Sequence, residues 1–158
     1  MNGFADLVGP DSIVIGLDVA TKDALLAALA GRAADASGVP ASLIFERVRE
    51  RESLGSTGFG QGAAIPHARI GGLSGVMAVV ARLAGGVDYG ALDAEAVDVA
   101  VLLLSPEGAG ADHLKALASI SRALRNPDTL AAIRDAGDAA ARRRIIGPPD
   151  AARGQRAA

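Results

Sequence analysis

The sequence predicts a single α/β domain in which a central β-sheet is covered by helices on both sides, and three observations carry that prediction. Residues 76–83 and 97–104 are rich in Val, Leu and Ala and nearly continuous in hydrophobicity, the pattern of strands buried on both faces. Segments with apolar residues at helical spacing lie before and after these runs, so helices come to the sheet from both ends of the chain. The 158 residues, 50% of them hydrophobic, suffice for one domain with a proper core.

In chain order, residues 13–17 are short and apolar and suit a first strand. Thr21 follows as an N-cap with Asp23 in the opening turn, and Leu25, Leu26, Leu29 and Ala33 repeat at helical spacing. The spacing predicts a helix over about 21–36 that stops near Gly38 and Pro40. Beyond Pro40, Leu43, Ile44, Phe45 and Val48 place apolar groups on one side of a second helix, whose end is loaded with Arg47, Arg49, Glu50, Arg51 and Glu52. That helix runs straight into a glycine loop. After the two central strands, Ser105, Pro106, Gly108 and Gly110 break the pattern, and Asp112 can cap a helix with Leu117, Ile120 and Leu124 as its buried stripe. Further helices are expected over about 128–136 and 139–146. From Gly147 onward the chain offers Pro148, Pro149 and then small or charged residues with no apolar repeat, which reads as a frayed tail behind a domain spanning 1–146.

Composition removes several function classes. A net charge of −2 argues against a broad cationic face for nucleic acid, and three Phe, one Tyr and no Trp leave no platform for stacking bases. The wholly apolar run 99–104 is far short of the ~18 residues of a membrane span, so direct membrane insertion is not expected. Asp6 and the lack of a basic segment ahead of an apolar one argue against a secretory signal. Cysteine is absent, which removes disulfides and thiolate chemistry, and cytoplasmic residence is the expectation.

The run from Arg51 to Arg69 is the most informative stretch. Gly58, Gly60 and Gly62 recur at every second position, giving the backbone unusual freedom and little side-chain bulk to screen a ligand. Pro66 biases Ile65 toward extended backbone and keeps a helix from running through His67, one of two histidines in the chain. The imidazole is therefore expected at the rim of the sheet. A neutral imidazole is a good nucleophile near pH 7, since its reference pKa is ~6.5 and one ring nitrogen keeps a lone pair. His67 could attack phosphorus directly. Backbone N–H groups of the loop and the hydroxyls of Ser56 and Thr57 could cradle phosphoryl oxygens, and Arg51 could add a bidentate cation. His113 falls four residues before Leu117, in the first turn of its helix, where the helix N-terminus disfavours imidazolium and favours a nearby phosphate.

Each element also has a plainer reading. A loop histidine can be a surface residue, His113 a hydrogen-bonded core residue, Arg51 part of a solvated helix end, and Ser56 and Thr57 partners of backbone groups. Sharper motifs fail. The glycine spacing is not a dinucleotide fingerprint, no Gly-Lys-Ser or Gly-Lys-Thr makes a P-loop, and Gly-x-Ser-x-Gly is absent. Two histidines without cysteine make a poor zinc site.

The segment Arg51-Glu52, then Gly55-Ser56-Thr57-Gly58-Phe59-Gly60-Gln61-Gly62-Ala63-Ala64-Ile65-Pro66-His67, closely resembles the phosphorylation-site signature of enzyme IIA domains of the fructose and mannitol type, from the bacterial phosphoenolpyruvate-dependent phosphotransferase system. Val87-Asp88-Tyr89 with Leu92-Asp93 and Val97-Asp98 resembles the family's strand-connecting stretch, and Asp112-His113-Leu114 with Leu117 its second histidine motif, so the similarity covers about 4–146. The resemblance implies a mixed central sheet between helices and a phosphohistidine at His67 flanked by Arg51 and His113. It implies an HPr-type phosphocarrier as donor, with no cofactor and no magnesium in the relay. Phe59 and Gly60 would offer a low, apolar docking rim, and the chain's mild acidity would suit a basic partner surface. Gly55-Ser56-Thr57-Gly58 most resembles the nitrogen-regulatory subtype, which relays phosphate state to regulatory proteins. The alternatives are a sugar-transport component that hands phosphate to an enzyme IIB, and a binding regulator indifferent to phosphate. Two positions depart from the family pattern: Ala68 stands where Gly is common, and Ala63 where Ile is frequent.

Overall fold

The computed structural model describes residues 3–136, so the helix expected over 139–146 and the tail from Gly147 lie outside the described residues. A short helix α1 (Phe4–Leu7) leads directly into β1 (Val8–Leu17). Both extend beyond expectation: Gly9, Pro10 and Asp11 hide the start of β1 from a hydrophobicity reading, and four residues are too few to display a helical repeat. Helix α2 (Lys22–Ser37) begins as expected, with the Thr21 side chain accepting from the Ala24 N–H at 3.1 Å. It ends on Gly38, whose left-handed φ of 79° lets its N–H reach the Ala34 carbonyl. Helix α3 (Ala41–Ser53) starts directly after Pro40 and buries Ile44, Val48 and, unexpectedly, Glu52.

The glycine loop then folds as three short strands, β2 (Gly58–Gly60), β3 (Ala63–Ala64) and β4 (His67–Ile70), followed by the long β5 (Met77–Val87) and β6 (Val97–Pro106). The six form one sheet in the order β1-β5-β6-β3-β2, with β4 also paired to β6. β5 and β6 are antiparallel, whereas β1 on β5 and both β3 and β4 on β6 are parallel, so the sheet is mixed. Helix α4 (Ala111–Arg125) and helix α5 (Pro127–Asp135) complete the described chain. The cap of α4 differs from expectation: Gly110 occupies the N-cap and Asp112 lies inside the first turn, with no side-chain cap. α5 is capped by the Asn126 side chain, with Pro127 in its first turn where a missing N–H costs nothing.

The central strands are buried on both faces, as their continuous hydrophobicity requires. Along β6, Ala100, Leu102 and Leu104 join the core under α2 and α3, while Val99, Val101 and Leu103 join the core under α1, α4 and α5. The buried stripe of α4 is His113, Ala116, Ile120 and Leu124; Leu117 is only partly covered. No helix of the described residues is long and apolar enough to cross a membrane.

Candidate functional site

Strand alternation decides what faces what. Ala68 and Ile70 of β4 point into the core under α2 and α3, so His67 and Arg69 point to the opposite face, the one α4 covers. On β6 the same alternation sends Ser105 to that face, and the register pairs Arg69 with Ser105 and His67 with Leu103. β4 pairs with β6 alone, which puts His67 at a sheet edge as expected, with α3 packed beside it. The first turn of α4 lays His113 over this corner, and the two imidazole centroids are 5.6 Å apart.

An open concavity of about 500 Å³ collects these groups. His67, Ala68 and Arg69 line it from β4, His113 from α4, and Arg47, Glu50, Arg51 and Leu54 from α3 and its end. Three of the predicted site residues, His67, His113 and Arg51, are thus brought to one place. His67 is half-buried and holds its Nδ1 2.8 Å from the Ile65 carbonyl. A carbonyl only accepts, so Nδ1 carries the hydrogen and Nε2 keeps the lone pair. Burial, and then the charge of Arg51, hold the ring's ionisation below its ordinary value, against the opposing pull of the Ile65 hydrogen bond and Glu52. His113 is pushed down further, to about 4, by burial first, then by Arg69 and His67. The direction is the expected one, with burial and the neighbouring side chains as its causes.

Arg51 donates from one guanidinium nitrogen to the Gly55 carbonyl at 2.9 Å, which fixes its reach from the last turn of α3. Beside it, Glu52 is buried, and its carboxylate accepts from Lys22 at 2.9 Å, from the Thr57 N–H at 3.1 Å, from the Tyr89 hydroxyl at 2.9 Å and from the Thr57 hydroxyl. Lys22 lies over the Tyr89 ring, 4.2 Å from its centroid. Those donors hold the Glu52 carboxyl below its usual value although burial pushes the other way. On the far side of the loop, Asp93 accepts from the Gln61 N–H at 3.0 Å, and Arg134, paired with Asp98 at 2.9 Å, donates to the Gln61 carbonyl.

This clamp corrects several expectations. Thr57 is sealed in the Glu52 and Tyr89 network, and the Ser56 hydroxyl accepts from the Gly58 N–H and donates to the Tyr89 carbonyl; neither residue lines the concavity. The glycines serve packing more than ligand access: a Cβ on Gly58 would meet Ala91 at 2.9 Å, and Gly62 has a φ of +78°. Phe59 packs on the core under α4 and α5 and Gly60 is buried, so the exposed apolar group at the concavity is instead Leu54 (82%). Net acidity does not describe the face either. Arg47, Arg51 and Arg69 outnumber Glu50 and Glu107 there, and Glu50 is already paired with Arg47 at 3.6 Å. Ala68 sits in regular strand pairing with Leu104, which explains why a Cβ is tolerated after His67. Sequence reasoning missed Arg69, Ser105, Lys22 and Tyr89 as supports of the site. For Arg69 a signal was present, since it stands two residues from His67 and so shares its face if the segment is a strand.

Comparison with known proteins gives the family and the fold. Residues 6–147 match the family described as phosphoenolpyruvate-dependent sugar phosphotransferase system, EIIA 2. The chain is 42% identical over 148 residues to a nitrogen regulatory protein of Bradyrhizobium diazoefficiens, covering 94% of this chain and 97% of that one. It is 42% identical over 106 residues to a nitrogen regulatory protein of Pseudomonas aeruginosa, covering 67% and 69%. The crystal structure of nitrogen regulatory protein IIA-Ntr from Neisseria meningitidis superposes with a TM-score of 0.83 at 28% identity, over 90% of this chain and 97% of that one. IIA mannitol from Escherichia coli shares the fold, with a TM-score of 0.72 at 16% identity over 87% and 97%. The mixed sheet, the His67 segment and these matches together make the chain a member of the EIIA type 2 family of the phosphoenolpyruvate-dependent phosphotransferase system.

Proposed function

We propose that this protein is a cytoplasmic phosphoryl relay of the nitrogen-regulatory kind, accepting a phosphoryl group on His67 from an HPr-type phosphocarrier and reporting that state to regulatory proteins. The observation that carries the reading is the pairing of a half-buried His67, whose Nδ1 is held by a carbonyl, with a second imidazole 5.6 Å away in a concavity that Arg51 and Arg69 also line. Nε2 of His67 attacks phosphorus, the Nε2–P bond forms as the donor's N–P bond breaks, and the electron pair returns to the donor imidazole. The work of the protein is positioning and electrostatic support of the equatorial oxygens, with Arg51 and His113 as the flanking groups. Leu54, exposed at the concavity, supplies apolar contact for the docking carrier. A domain over 1–146 with 147–158 outside it belongs to the same reading, supported by the family match over 6–147.

Incubation with phosphoenolpyruvate, enzyme I and HPr is expected to label the wild type at an alkali-stable, acid-labile site and to leave His67→Ala unlabelled. Labelling of His67→Ala at the wild-type level would overturn the assignment. The regulatory role is favoured over sugar transport by identity to nitrogen regulatory proteins along nearly the whole chain. Rapid passage of label to a cognate enzyme IIB would reverse that preference.

A further inference from the structure

Among the described residues, Ser105 is the one buried side-chain hydroxyl hydrogen-bonded to the imidazole pair, and the relay as proposed gives it no task. It sits near the end of β6 with no exposed surface, and its Oγ is 2.7 Å from Nδ1 of His113, itself only 6% exposed. A hydroxyl can donate or accept, so it can satisfy either form of a neutral imidazole. The choice is made at the other nitrogen. His113 lines the concavity beside His67, and a phosphoryl group there presents only acceptor oxygens. With Nε2 bare, two lone pairs would oppose each other; with Nε2 protonated, the ring donates. Only the second form leaves Nδ1 as an acceptor, and the Ser105 hydroxyl is positioned to fill it.

We infer that Ser105 is a positioning residue for the phosphoryl transfer proposed above, on which this inference rests: its hydroxyl donates to His113 Nδ1 and so holds the Nε2 hydrogen toward the anion. The two histidines are then set in opposite tautomers by their neighbours. The Ile65 carbonyl keeps the hydrogen of His67 on Nδ1 and leaves Nε2 to attack, whereas the phosphoryl oxygens draw the hydrogen of His113 to Nε2 and Ser105 pairs the Nδ1 that this leaves bare. Strand alternation makes the arrangement available, because His67, Arg69 and Ser105 project to the same face of adjacent strands. Without the hydroxyl, Nδ1 of His113 is buried and unpaired in either tautomer, so the donating form carries an unsatisfied acceptor through the transfer.

The test is nitrogen-15 NMR of the imidazoles at pH 7.5 in the phosphorylated wild type, together with the rate at which full-length wild type, Ser105→Ala and Ser105→Thr each take label from phosphorylated HPr. The wild type is expected to show His113 protonated on Nε2 and His67 protonated on Nδ1. Ser105→Ala is expected to slow labelling about three- to tenfold, the effect of one lost hydrogen bond, with Ser105→Thr recovering most of the rate. A purely structural hydroxyl would change the unfolding midpoint and leave the rate alone. Wild-type His113 protonated on Nδ1, or Ser105→Ala labelling at the wild-type rate, would overturn this inference while His67 labelling stands. Failure of the wild type to take label at all would instead remove the relay itself, and this inference with it.

Discussion

Acid should weaken this protein well above the carboxylate range, because the native state holds His113 in its neutral form. The folded imidazole ionises at about 4, against 6.5 for a free side chain, owing first to burial and then to the charges of Arg69 and His67. The sign follows from linkage. Below 6.5 the unfolded chain binds a proton that the folded one refuses, so stability is lost as pH falls from 6.5 toward the folded value. A gap of this size corresponds to about 3 kcal/mol once both states are protonated, of which about 2 kcal/mol is lost between pH 7 and pH 5. His67, also held below its ordinary value, adds to the loss with the same sign. Glu52 acts in a separate window: its lowered carboxyl stabilises the fold above the reference value of 4.5 and is lost only as pH falls through its folded value. Urea unfolding at pH 7, 6 and 5 separates the contributions. The wild type should lose about 2 kcal/mol or more across that range, and His113→Asn, which removes the buried ring, should lose about 2 kcal/mol less. Parallel stability curves for the two proteins would refute the claim that burial of a neutral His113 sets this sensitivity.

Two further outcomes test the supports of the loop. Glu52→Gln keeps shape but removes the charge facing Lys22, Thr57 and Tyr89, and should destabilise by about 2 kcal/mol, less than a fully buried pair because Lys22 remains 26% exposed and can reach water; an unfolding midpoint equal to wild type would show that the network contributes nothing. Gly62→Ala and Gly90→Ala share a left-handed backbone, at φ +78° and +75°, but only at Gly62 would the new Cβ meet neighbours, Arg134 Nη2 at 2.5 Å and Asp98 Oδ1 at 2.9 Å. Gly90→Ala should therefore report strain alone, about 1 kcal/mol, and Gly62→Ala should cost more and loosen the Arg134 and Asp98 pair, as thermal unfolding would register.

Much of the fold was legible because burial leaves a periodic trace. β5 and β6 announce themselves through unbroken Val, Leu and Ala, and α2 through its repeat of Leu25, Leu26, Leu29 and Ala33 between Thr21 and Gly38. α1 and the first half of β1 were not legible, because four residues carry no helical period and Gly9, Pro10 and Asp11 read as a turn. The cap of α4 was misplaced onto Asp112 because a glycine in an unusual conformation, Gly110 at φ 58°, opens the helix without any side-chain signal.

For the site, the sequence by itself determined the chemistry available: an imidazole fixed behind Pro66, a second at a helix start, an arginine at a helix end, and no thiol. The identity and local conformation of those groups depend on neighbours a few residues away, which a sequence displays. What only the tertiary structure decided is who serves whom. Ser56 and Thr57 turn to Tyr89 and Glu52 instead of the concavity, Phe59 packs against the core, Leu54 and Arg69 line the concavity with His67, and Ser105 holds His113. Those assignments follow from the β4–β6 register and the docking of α4, contacts between residues some 40 positions apart, and nothing in the local sequence carries that information.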